Sequence, residues 1–246
     1  MGIDEARVPR DNQGVNRHLS ALLVLVLGSS CSILAKERRV SEADQNYKVK
    51  KLVVLPVMLT WKYCPDDIDK RARKDDLIVA LTKDTVDRLR TRGYEVAPLL
   101  VEPSLLDAKA PHNVSLGKAL CGGDALQSLP ADVVQFAANT AKTAGVDQVL
   151  VAGIARMRWH LKMDMGEDNG AGGDNISQFD VRAVAALYDV PSGRVVWSEF
   201  VDSKFFTDTY DNAVKRVMLF DELRGKDPHE KLFYDFPLPA GATASK

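Results

Sequence analysis

Histidine and cysteine are scarce in this chain, and that scarcity bounds its chemistry before anything else does. Four histidines and three cysteines are spread over 246 residues. His18, His112, His160 and His229 stand in no recognisable motif, and neither CxxC nor HxxxH spacing occurs. A zinc site of the usual ligand spacing is therefore excluded, and no metal or cofactor is expected. Gly-x-Ser-x-Gly and a glycine-rich phosphate loop are also absent. Charge of one sign is lacking too: 33 Lys and Arg face 34 Asp and Glu, for a net charge of −1. Such balance offers no global pull toward nucleic acid. No apolar run reaches the roughly 20 residues that a membrane-crossing helix needs.

The most informative stretch is Leu19 to Cys31, LSALLVLVLGSSC, with Arg17 and His18 ahead of it. Ala21 to Leu27 is seven apolar residues, too short to span a bilayer. A basic flank, a short apolar stretch and small residues before a break are the parts of a secretory signal peptide. Gly28-Ser29-Ser30-Cys31 resembles the lipobox of bacterial lipoproteins, with Gly28 where Leu is commonest and Leu27 one place early. The competing reading is a buried core helix or an uncleaved anchor. The leader carries Asp4, Glu5, Arg7, Arg10 and Asp11, which suggests a start downstream of Met1.

The lipobox resemblance implies that residues 1–30 are removed and that Cys31 carries the lipid. One acyl chain anchors only marginally, at about 0.8 kcal/mol per buried methylene, so stable attachment needs several. Ser32 stands where an Asp would retain such a protein at the inner membrane, which implies the outer membrane, facing the periplasm. In that oxidising compartment Cys64 and Cys121 either pair in one disulfide or stay as two thiols.

Residues 31–50 are polar, charged and without a period, as a tether would be, and residues 51–225 form the expected α/β domain. Lys51 to Leu59, KLVVLPVML, has the continuous apolar character of a strand covered on both faces, with Pro56 at a strand end or bulge. Asp75 to Arg92 is the clearest helix. Ile78, Leu81, Thr85 and Leu89 share a stripe, acidic residues open it, arginines close it and Gly93 stops it.

A short strand follows from Tyr94, and Val101 to Leu129 is broken by proline and glycine. Ala131 to Ala144 reads as a second helix and Gln148 to Trp159 as a strand. Phe179 to Val190 and Val195 to Val201 read as a hairpin about Pro191-Ser192-Gly193. Tyr210 to Leu223 returns to helix, and residues 226–246 form a tail. Asp164, Glu167, Asp168, Asn169 and Asp174 invite a calcium reading, but their spacing does not match the twelve-residue EF-hand loop.

Taken in order, KLVVLPV, RLRTRGYEV, AKTAGVDQVLVAGI and LYDVPSGRVVW resemble envelope lipoproteins built on the fold of the TolB amino-terminal domain, the CsgG, PelC and LpoB type. The resemblance covers about Lys51 to Ser203. It implies a single mixed β-sheet flanked by helices, with a C-terminal hairpin followed by a helix. It also implies a role that is not enzymatic, exercised through contacts with other envelope proteins or with further copies of the chain. Long alternating membrane hairpins are not evident, which argues against a pore of its own. Trp61, Tyr63, Trp159, Phe233, Tyr234 and Phe236 are the candidate contact residues, with core packing as the alternative for each. The competing function is a periplasmic hydrolase, for which only His160 and Asp164 offer a dyad.

Overall fold

Pro56 lies between two strand ends, the position its missing N–H leads one to expect. The computed structural model describes residues 47–98, 103–161, 177–207, 232–233 and 235–241. Cys31 and the tether up to residue 46, the acidic loop 162–176 and the helix expected over Tyr210 to Leu223 lie outside the described residues. Where the sequence predicts one strand there are two, Lys51–Val54 (β1) and Met58–Leu59 (β2). Proline has no N–H to give a ladder, so the chain leaves the sheet around it. Val57 N–H then donates to Thr82 Oγ1 at 2.8 Å instead of to a strand.

Helix α1, Asp75–Thr91, buries Leu77, Ile78, Leu81, Thr82, Thr85 and Leu89. It ends at Gly93, whose φ of 87° is the left-handed conformation that glycine adopts without strain. A two-residue strand follows, Glu95–Val96 (β3). Helix α2, Pro111–Cys121, forms inside the segment that sequence leaves broken. Its proline sits in the first turn, where the missing N–H has no intrahelical acceptor to lose. Helix α3, Ala131–Ala144, buries Val133, Ala137 and Ala141. Three long strands complete the sheet: β4, Gln148–Leu161; β5, Ser177–Asp189; and β6, Arg194–Thr207.

The six strands form one mixed sheet in the order β3-β1-β4-β5-β6, with β2 also beside β4. β1 and β2 run parallel to β4, while β5 is antiparallel to β4 and β6 to β5. Between Ile154 and Arg156 the register slips at Ala155, which changes the parity of β4. Leu150, Ala152 and Ile154 join the core under α1, and beyond the slip Met157 joins that same core. Val149, Val151 and Ala155 pack on the other face, against Leu116 and Leu120 of α2 and Val133, Ala137 and Ala141 of α3.

The tail belongs to the α1 face. Leu232, Phe233 and Phe236 are buried there, and Phe236 meets the rings of Trp197 at 4.8 Å and Tyr94 at 5.2 Å. Val49 N–H donates to Leu238 O and Ala240 N–H to Val49 O, a parallel bridge between the two ends of the body. Tyr47 is tied in nearby: its hydroxyl donates to Asp189 and accepts from Gln148 Nε2 at 2.6 Å. Burial alone would raise the Asp189 carboxyl, but hydrogen bonds from Tyr47, Ser192 and Gln148 outweigh it and hold the group below its usual range.

Gly153 marks a close approach in the sheet. A Cβ there would lie 2.7 Å from Leu120 Cδ1 and 2.8 Å from the Met58 carbonyl oxygen. The second neighbour is backbone of the paired strand β2 and cannot rotate away. Gly153→Ala is expected to cost about 1–3 kcal/mol of stability, read as a lower urea midpoint of unfolding.

Candidate functional site

Residues 60–74 form three single 3-10 turns: Thr60–Lys62, Pro65–Asp67 and Lys70–Ala72. They lie along the far half of β4. Thr60 Oγ1 donates to Ala155 O at 3.3 Å, and Asp69 N–H donates to Met157 O at 2.7 Å. Ile68 bridges Met157 in parallel, so the segment continues the edge where β1 and β2 leave off.

The segment is stapled from the helix side as well. Cys64 and Cys121 are joined in a disulfide, with Cα atoms 6.1 Å apart and a sequence separation of 57. On the chain-entropy account a loop of that length stabilises by about 4 kcal/mol. The Tyr63 ring fills the notch over Gly117, where a Cβ would stand 2.0 Å from its Cδ2. The Tyr63 hydroxyl donates to Ala108 O at 3.1 Å. Burial, reinforced by the Asp107 carboxylate, pushes that hydroxyl above its ordinary pKa.

Charges hold the outer side. Asp67 accepts from Arg158, with Arg156 Nε at 3.8 Å from the same oxygen. Asp69 accepts from the Arg71 backbone N–H and both arms of its guanidinium at 2.9–3.0 Å. The hydrogen bond from the Arg71 side chain is the main reason the Asp69 carboxyl sits below its usual range. Two tryptophans lie under the cations: Trp61 with Lys62 Nζ at 5.1 Å and Arg73 at 5.9 Å, Trp159 with Arg71 at 5.5 Å. Phe179 meets the Trp159 ring edge-on at 5.7 Å.

Three of the predicted contact residues, Trp61, Tyr63 and Trp159, thus share one end of the sheet, each half-buried. Phe233 and Phe236 do not join them. They are 2% and 5% exposed and pack on Trp197, which pairs with Leu187 near the β5–β6 turn. Trp159 pairs with Phe179, eight residues along β5 from Leu187. At about 3.4 Å per residue that is roughly 27 Å. Their surface is spent on the core, so neither is available to a partner. Tyr234 lies outside the described residues.

Two hollows open beside the segment. One, of about 30 Å³, is walled by Val57, Leu59, Trp61, Ile78 and Leu106. Trp61 Nε1 is buried with no acceptor among the described residues. The other is an open cleft of about 310 Å³ between the 65–73 segment and the end of β4. His160 lies on its wall, exposed, with Nε2 3.3 Å from Asp180 Oδ2. Asp164, its sequence-predicted partner in a hydrolase dyad, lies outside the described residues. Among the described residues no group of His, Cys, Asp and Glu could hold a metal ion.

His112 sits apart, stacked on Phe136 with ring centres 3.8 Å apart, joining α2 to α3. Burial lowers its pKa, against the opposing pull of Asp132 and Asp107. The unfolded chain therefore takes up this proton more readily than the folded one. Its contribution to stability is full above the ordinary histidine value of about 6.5 and is lost as pH falls below it. His112→Phe is expected to flatten the decline in urea midpoint between about pH 7 and 5 relative to the parent.

No family model and no curated protein matches the chain. Solved structures do. Lipoprotein GNA1162 from Neisseria meningitidis aligns at 14% identity and a TM-score of 0.41, over 68% of this chain and 92% of that one. A PelC dodecamer from Paraburkholderia phytofirmans aligns at 14% identity and 0.37, over 78% and 89%. The hypothetical protein CT253 from Chlamydia trachomatis aligns at 11% identity and 0.36, over 77% and 86%. Likeness of this degree transfers no partner, assembly or activity.

Proposed function

We propose that this chain is a lipid-anchored protein of the outer membrane, facing the periplasm, that acts by contact with other envelope proteins and not by catalysis. The observation that carries the reading is the run from Arg17 to Cys31, a short apolar stretch between a basic flank and small residues before a cysteine. Fatty chains on Cys31 would hold a water-soluble body at the membrane. The body's chemistry supports the compartment: a disulfide between Cys64 and Cys121 persists where the surroundings are oxidising. Contact is exercised from the end of the sheet where Trp61, Tyr63 and Trp159 stand on the stapled segment 60–74. Partly exposed aromatics on a rigid support are the residue types that dominate protein interfaces.

The test is detergent phase partitioning of the natively expressed protein together with mass analysis of its amino terminus. The parent is expected in the detergent phase, beginning at an acylated Cys31 and lacking residues 1–30. Cys31→Ala is expected to remain uncleaved and unacylated. A parent protein that keeps its leader, or that stays in the aqueous phase, would overturn the reading.

A further inference from the structure

We propose that the cleft between residues 65–73 and the end of β4 binds a phosphate ester, with Lys70, Arg73 and Arg158 meeting the phosphate and Trp159 forming the wall beside its carbon skeleton. The cleft holds about 310 Å³, within the range of small-molecule sites. It owes its charge to unequal pairing. Asp69 is taken up chiefly by Arg71, with a weaker attraction to Arg73, and Asp67 is divided between Arg156 and Arg158. His160 has Asp180.

That leaves Lys70 and Arg73 on the walls with Asp66 as the remaining carboxylate. Among the described residues no carboxylate lies within ion-pair distance of either cation. Arg73 donates to the backbone carbonyls of Ile68, at 3.1 Å, and Pro65. Those bonds aim the guanidinium without cancelling its charge. Among the described residues, the walls of this cleft thus carry a local excess of cation in a chain of net charge −1.

Phosphate fits that excess better than a single carboxylate does. Its several oxygens can meet the remaining N–H groups of two guanidiniums and an ammonium together. The site is also formed in advance. The disulfide at Cys64, the Asp69 bond to Met157 and the Asp67 pairs fix the segment, so little ordering is needed on binding. A partly exposed tryptophan at the rim gives the ligand's carbon atoms a surface, which favours an ester over the bare ion. Two sources share this chemistry, a soluble phosphate ester and the headgroup of a phospholipid. The proposal concerns the body alone and stands whether or not Cys31 is acylated.

The test is calorimetric titration of the full chain in a neutral detergent with two probes, sn-glycerol 3-phosphate and phosphatidylglycerol dispersed in the same detergent. Saturable one-site binding of at least one probe is expected. Lys70→Gln alters an exposed side chain and is expected to weaken it about tenfold, with a larger loss in the Lys70→Gln/Arg73→Gln double variant. Lys83→Gln removes an exposed lysine of α1 that pairs with Asp87, and is expected to leave binding unchanged. Binding of the glycerol phosphate alone assigns a soluble ester, binding of the lipid alone a headgroup, and binding of both the phosphate group itself. No saturable binding of either probe, or equal binding by Lys70→Gln, overturns the proposal.

Discussion

Strand β4 is hydrogen-bonded along both edges, and the rest of the body is arranged to satisfy it. β5 accompanies one edge for its whole length. The other edge is met in relay by β1 at Gln148–Leu150, by β2 at Gly153–Ile154 and by Ile68 at Met157. Over Val149 to Ile154 a strand so enclosed is buried throughout, and only towards its end do Arg158 and His160 reach water. Both faces then need cover. One face receives α1 and the returning tail, the other α2 and α3. Because Pro56 breaks the first partner, the relay has gaps, and the last gap is closed by a segment that is neither strand nor α-helix. The candidate site grows out of that closure.

What could be read from the sequence follows from how local the cause of each element is. Helix α1 was legible because its stripe, its acidic start, its basic end and Gly93 all lie within one window. The β5–β6 turn was legible for the same reason, and Gly193 indeed has a φ of 68°. Helix α2 was not legible, since Pro111 and Gly117 argue against it locally. Its glycine is explained only by the ring of Tyr63, 54 residues earlier in the chain. The reach of β6 beyond Val201 was missed in the same way. Asp202, Ser203 and Lys204 carry no apolar alternation, yet Asp202 takes the Arg182 guanidinium and Lys204 faces Asp180 across the ladder.

The site shows the same division. Trp61, Tyr63 and Trp159 can be singled out as large side chains in polar surroundings. Their convergence depends on Ile68 meeting Met157 and on Cys64 meeting Cys121, and neither distance is encoded by spacing. It depends also on the slip at Ala155. Were Ala155 paired in regular alternation with Arg182 in place of being skipped, the side chains at 157 and 159 would exchange faces with those at 156 and 158. Trp159 would lose Phe179, and the two arginines would lose Asp67. A single irregularity in the most regular part of the sheet decides which chemistry reaches the cleft.

The bridge between Val49 and Pro239 has a mechanical meaning. Tension entering through the residues ahead of Tyr47 does not first peel β1 from the sheet. It meets two hydrogen bonds to the tail at Val49, the Tyr47 contact with Asp189 and the Lys50 N–H bond to Gln148 Oε1, all within four residues. The tail in turn is wedged by Phe233 and Phe236 against Trp197. Load is therefore shared among the sheet, the β5–β6 turn and the part of the tail held by Phe233 and Phe236.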